Sequence, residues 1–196
     1  KHFEGARRIR MVMEAQSKIS SVELQKLMHM LIRMQQMLVS PRLAEMGAEY
    51  FEKHPQEIED AAQCDTGGLK VLYDTIRKKQ EAGHARVIVA CNHVMLMRIA
   101  KRYMELQKND SKDPYDVGLC SMYDGTLSQR QRQAQRTGFF EAKKAVFFLS
   151  IGAGGMGLHL VPTKTDAPIE SFCRSMIFWG SRPWSPKMVL QTMKRI

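Results

Sequence analysis

The chain has 196 residues, room for one domain and a helical appendage. Thirty Lys and Arg face twenty Asp and Glu, a net charge of +10 that points to a polyanionic partner, with nucleic acid ahead of anionic membrane or acidic protein. An ordinary apolar fraction argues against general disorder, and no uncharged apolar run approaches the ~20 residues that span a bilayer. The four cysteines, Cys64, Cys91, Cys120 and Cys173, are far apart and form no C-x-x-C, which argues against a zinc ribbon and a disulfide scaffold. Cys91 and His93 would need two further ligands to hold a metal, so no metal site is expected and a reducing compartment suits the thiols. The chain opens on Lys1 and stops at Ile196 within a helical pattern, so both ends are expected to be cuts in a longer protein.

Residues 1–63 read as a helical segment. Leu24, Leu27, Met28, Leu31, Met34 and Leu38 recur at three- and four-residue steps and make one apolar face, with Ser20 or Ser21 placed to cap it. Ser40-Pro41 breaks that helix, because the residue before a proline avoids the α region. A shorter helix is expected from Arg42 to Glu52, and a weak third from Glu57 to Gln63 after His54-Pro55.

From residue 64 the character changes. Apolar runs of strand length (Arg86–Cys91, Val117–Met122, Ala145–Ser150 and Ser175–Trp179) alternate with helical patterns over Gly68–Gln80, Val94–Gln107 and Ser128–Phe140. This alternation predicts βαβ units and a mostly parallel sheet in an α/β fold of three layers. The strands are apolar on both faces, which requires helices on both sides of the sheet. Thr163–Glu170 reads as a loop insertion.

The most informative stretch follows the third strand. Ser150 ends a buried run, and Gly152, Gly154, Gly155 and Gly157 crowd the loop after it. Without a Cβ, glycine lets backbone amides approach a phosphate closely. Taken alone, such a loop fits a dinucleotide fold, a methyltransferase or a plain tight turn. The Rossmann spacing G-x-G-x-x-G is absent, and a methyltransferase would carry its glycine loop after the first strand. Arg130, Arg132 and Arg136 sit at helical spacing; a solvated face is the commoner meaning of such a stripe, and DNA contact the sharper one. Asp60-Ala-Ala-Gln63 lacks the Glu of an Asp-Glu box and follows no buried strand, so it reads as a helix end.

In order, these elements resemble the C-terminal helicase lobe of superfamily-two motors, most closely the Swi/Snf branch. Arg86 to Asn92 is similar to motif IV. Tyr123-Asp124-Gly125-Thr126, with the arginine helix and Phe139-Phe140 behind it, resembles the family's Asp-Gly-Ser element. Leu149-Ser150 through Ala153-Gly154-Gly155-Met156-Gly157-Leu158 resembles motif V. Trp184-Ser185-Pro186 resembles Trp-Asn-Pro, and Gln191 with Arg195 the opening of motif VI. Upstream, Leu27–Leu43 with Arg33, Gln36 and Pro41 resembles the helix that precedes this lobe, and Thr66-Gly67-Gly68-Leu69 its Ser-Gly-Lys-Leu start. The chain departs from the family at His159 (usually Asn), Met122 (often Arg) and Gly68 (usually Lys).

The resemblance implies a RecA-like lobe, residues 64–196, truncated within motif VI. It implies ATP and Mg²⁺ held between this lobe and a first RecA-like lobe of the same protein, since no Gly-Lys-Ser/Thr occurs here. Gly155, Gly157 and Gln191 would face the nucleotide, and Arg195 would be the first arginine finger, the second lying beyond Ile196. Cys91, Asn92, Ser150, Ala153, Gly154 and Gly155 would contact double-stranded DNA. Trp184 is expected to hold the motif VI helix against the sheet. The piece alone would not hydrolyse ATP. Nucleosomes or other DNA-bound proteins are the implied substrates, with a nuclear location in a eukaryote and an intracellular one otherwise. The competing readings are an RNA or DNA helicase lobe of another superfamily-two branch and a degenerate lobe kept as an interaction module.

Overall fold

The computed structural model describes residues 21–64, 66–108, 115–152, 160, 173 and 175–180. Helix α1 spans Ser21–Val39 and ends at Ser40, whose Oγ accepts from the Leu43 amide and caps α2, Pro41–Met46. Proline at the first helical position has no amide to leave unsatisfied, so the break read from the sequence is also a start. The single helix expected over Arg42–Glu52 is two: Gly47 separates α2 from α3, Ala48–Lys53. The segment continues in α4, Glu57–Cys64, and α5, Thr66–Glu81.

Among the described residues four strands follow: β1 (Arg86–Cys91), β2 (Leu119–Tyr123), β3 (Ala145–Ser150) and β4 (Ser175–Phe178). Helix α6 (Val94–Lys108) joins β1 to β2, and α7 (Gln129–Glu141) joins β2 to β3. Among the described residues all strand pairs are parallel, in the order β2-β3-β1-β4. β1 and β3 keep their expected limits. β2 starts two residues late because Gly118, at φ 85, turns the chain beside Lys144.

Alternation along the strands splits the core in two. Val87, Val89, Cys91, Val146 and Phe148 face α5 and α6, whereas Ile88, Ala145, Phe147 and Leu149 face α7 and its buried Phe139. This is the three-layer α/β arrangement that two-sided apolar strands require. Leu43, Phe51, Ala61 and Ala62 of the helical segment belong to the α5–α6 side of the core. The apolar stripe of α1 is only partly covered: Leu24 is 52% exposed and Leu38 82%.

Several polar devices fix the layers. Arg33 of α1 donates to the carbonyls of Ala44 and Glu45, closing the end of α2. A Cβ on Gly68 would lie 2.9 Å from the Cα of Val39, so α5 crosses the end of α1 at backbone contact. Lysine, usual at this position in the resembling family, would not fit that crossing. Arg86, first residue of β1, donates to Phe139 O at 3.1 Å, Phe140 O at 2.7 Å and Ala142 O at 2.9 Å, binding the carboxyl end of α7 to the sheet. Gln135 Oε1 accepts from the Met122 amide at 3.3 Å, on β2 at the sheet's margin.

Candidate nucleic-acid interface

In a parallel sheet flanked by helices, ligands bind where the strands end at their carboxyl side, because the loops there are free to vary. Here the strand ends form one row. Cys91 is paired with Ser150. Asp124 follows Tyr123, the partner of Leu149, and Trp179 follows Phe178, the partner of Ala90. The row is held by backbone bonds from Ile151 N to Cys91 O at 3.0 Å and from Trp179 N to Ala90 O at 2.9 Å. The structure therefore brings Cys91, Asn92 and Ser150 together at the carboxyl edge of the sheet. The other site residues expected from the sequence, Ala153, Gly154, Gly155, Gly157, Gln191 and Arg195, lie outside the described residues, as do His159 and Trp184.

The side chains on this row differ in availability. The Cys91 thiol is buried. It accepts from the His93 amide at 3.4 Å and lies 3.6 Å from the His93 carbonyl as a donor. Burial pushes this thiol up to about 12, only partly offset by its backbone hydrogen bonds. Cys91 thus shapes the turn into α6, and its own side chain faces inward. Ser150 is only 6% exposed, at the threshold of the glycine-rich loop. His93, whose carbonyl accepts from Met97 N, begins α6; burial holds its imidazole below the ordinary histidine range, and Nε2 has no partner among the described residues.

At the other end of the row, Asp124 is 1% exposed. Its Oδ1 accepts from Thr126 N at 2.8 Å and Thr126 Oγ1 at 2.6 Å, while Oδ2 has no partner among the described residues. Short acidic side chains favour this local turn because they accept from the amide two residues on. Arg132 lies over the Tyr123 ring, 5.3 Å from its centroid, and its Nη2 donates to Gly125 O at 3.3 Å. Tyr123, Asp124 and Arg132 together fix the Asp-Gly turn. The expected arginine stripe is therefore broken up: Arg132 is a tether, Arg136 is half-buried, and Arg130 is exposed. His93 and the buried Asp124 lie on this row beside the residues expected from the sequence. The local signal for Asp124, an Asp-Gly-Thr turn before a Ser-capped helix, was present.

No three His, Cys, Asp or Glu among the described residues gather into a group that could hold a metal ion. The described part of the row brings a hydroxyl at Ser150, which can donate to a phosphodiester, and an acceptor at Asp124 that does not suit a triphosphate, while its amides at His93, Thr126, Ile151 and Trp179 are engaged within the fold. No described helix is long and apolar enough to cross a membrane.

No family model and no curated protein matches the sequence. Solved structures do match. The C-terminal part of the Fun30 ATPase domain aligns with 95% of this chain and 70% of its own, at 17% identity and a TM-score of 0.57. The C-terminal domain of the SWI2/SNF2 ATPase of Sulfolobus solfataricus aligns with 99% and 79%, at 15% identity and a TM-score of 0.54. The all-parallel sheet, its two helical layers and the helical segment before them thus have the fold of the C-terminal lobe of SWI2/SNF2-type ATPases.

Proposed function

We propose that this chain is the second motor lobe of an ATP-dependent double-stranded-DNA translocase of the chromatin-remodelling or DNA-repair type. The observation that carries the reading is the pairing of Ser150 with Cys91 at the carboxyl edge, directly ahead of a loop with four glycines, in a fold shared with such ATPase lobes. Asn92, Ser150 and the amides of Ala153, Gly154 and Gly155 grip one strand's phosphates without reading sequence. Cys91 contributes by setting the turn and not by touching DNA. Gly155, Gly157 and Gln191 face the nucleotide, and Arg195 neutralises charge on the transferred phosphoryl group, an effect worth ~10³ or more in rate where measured. ATP and Mg²⁺ are held chiefly by a first RecA-like lobe of the parent and supply the hydrolysable phosphoryl bond, so the piece alone is inactive. The partners are then duplex DNA, the first lobe and DNA-bound proteins such as nucleosomes, in the nucleus of a eukaryote.

The test is steady-state ATP hydrolysis by the full-length parent with duplex DNA, single-stranded DNA, RNA or nothing added. Stimulation chiefly by duplex is expected, and Ser150→Ala should reduce that stimulation while leaving the basal rate. Stimulation by single strands or RNA would instead make it a helicase lobe of another branch. A folded parent with no hydrolysis under any condition would leave an interaction module.

A further inference from the structure

Helix α1 turns its apolar stripe away from its own core. Leu24, Leu27, Leu31, Met34 and Leu38 follow one another at steps of three, four, three and four, the a and d positions of a heptad seam. The body of the lobe does not sit on this seam. It holds α1 from the other side, through the Arg33 bonds to the carbonyls of Ala44 and Glu45, through buried Val39 and through the Gly68 crossing. At 3.6 residues per turn, Arg33 and Val39 lie away from the a and d positions. Among the apolar residues of α1 only Val39 is buried, while Leu38 beside it is 82% exposed. A surface helix normally lays its apolar stripe on its own core, so this stripe is shaped for a surface outside the lobe.

The chemistry of the seam selects its occupant. Its flanking e and g positions are Met28, Met30, Gln35 and Met37, so no charge lies on or beside it between Leu24 and Leu38. Flanking charges set partner and orientation in paired helices. Without them the surface is complementary to itself, as a two-fold contact requires. Residues 1–20 supply no matching strip. Continued back in register, the a and d positions fall on Arg10, Ser17 and Ser20 as well as Met13, and most aliphatic residues of that segment bunch between Ile9 and Met13. The seam also ends where the lobe begins, since Leu38 adjoins anchored Val39. In an antiparallel pair the two lobes therefore project from opposite ends and leave the seam free along its length. Short helices are marginal on their own, but α1 is already held at one end by its packing, so pairing orders little further chain.

We infer that α1 is a self-association surface: it pairs antiparallel with α1 of a second copy of this chain along Leu24 to Leu38, with a dissociation constant in the micromolar range. Pairing through this seam needs neither DNA nor nucleotide. The 196-residue chain is followed by sedimentation velocity across micromolar concentrations, where a monomer–dimer equilibrium is expected. Leu24→Glu and Leu38→Glu, both at exposed positions, should each raise the dissociation constant about tenfold or more. Leu119→Glu, at an exposed leucine of β2, should leave it unchanged, and circular dichroism should show all variants folded. Equal dissociation by Leu119→Glu would mean unspecific adhesion of apolar surface and overturn the proposal. So would a wild-type chain that stays monomeric at every concentration. Slow amide exchange over Leu27–Met34 in that monomer, lost when residues 1–20 are removed, would give the seam to that segment instead. Orientation is read separately. In a Cys64→Ser background, Leu38→Cys should not cross-link two copies, and efficient cross-linking would overturn the antiparallel arrangement.

Discussion

At the residue scale, the sharpest constraints come from close approach and from burial. Gly118 has φ 85, and a Cβ there would lie 2.0 Å from the carbonyl oxygen of Lys144. Gly118→Ala must therefore both adopt a left-handed backbone and displace the turn into β3. The expected cost is about 3 kcal/mol, read by urea unfolding. Gly67, with nothing within 4 Å, is the comparator; Gly67→Ala should be neutral or stabilise by up to ~1 kcal/mol. The thiols give a second prediction. Burial raises Cys91 and Cys120 from the ordinary 9.0 to about 12 and also raises Cys173, whereas Cys64 is exposed. Native protein should react rapidly with a thiol reagent at Cys64 alone, and at all four cysteines once unfolded. The same shifts set a pH dependence. Each of the two strongly shifted thiols stays protonated in the fold while the unfolded chain ionises, so stability is full below pH 9 and declines as pH rises from 9 to about 12. Replacing Cys91 with Ala should flatten part of that alkaline slope in a series of unfolding curves.

At the element scale, most of the fold was legible. Unbroken apolar runs bounded β1 and β3 correctly because both strands are buried on both faces. Helical spacing located α6 and α7 to within a residue at each end. The errors have local causes. Gly47 divided a helix whose apolar pattern continued on either side, and Gly118 delayed β2 by turning a run that composition alone made continuous. The pairing of Cys91 with Ser150 was beyond periodicity, since it depends on β3 inserting between β1 and β2. Nor could spacing separate Arg132, which binds back to the Asp-Gly turn, from exposed Arg130. Arg86 carries the prediction for this scale. Its guanidinium spans three carbonyls at the end of α7, where cations also complement the helix dipole. Arg86→Ala should cost roughly 2 to 3 kcal/mol, and Arg86→Lys should recover only part, because an ammonium lacks the planar fork.

At the scale of the whole molecule, the helical segment and the sheet share one core. Leu43, Phe51 and Ala61 pack into the same cluster as Val87 and Phe148, and Arg33 and Gly68 lock α1 to its neighbours. Thermal unfolding followed by far-ultraviolet circular dichroism and by tryptophan fluorescence should therefore give coincident single transitions. Two separated transitions would mean that the helices fold apart from the sheet. The amino-terminal turns of α1, where residues 22–26 are all exposed, should exchange their amide hydrogens much faster than β1 and β3.

The strand order also has a consequence during synthesis. β1 lies inside the sheet, yet its two neighbours are made late: β3 about 60 residues afterwards and β4 about 90, judging from the paired positions. At a ribosomal rate of roughly 5 to 20 residues per second, the nascent β1 waits on the order of 5 to 20 s before its second edge is covered. For that interval a strand of Val87, Ile88 and Val89 presents unpaired amides and carbonyls beside an apolar surface, an aggregation hazard of nascent chains. The yield of soluble protein should therefore respond to translation speed and chaperone supply more than native stability would suggest.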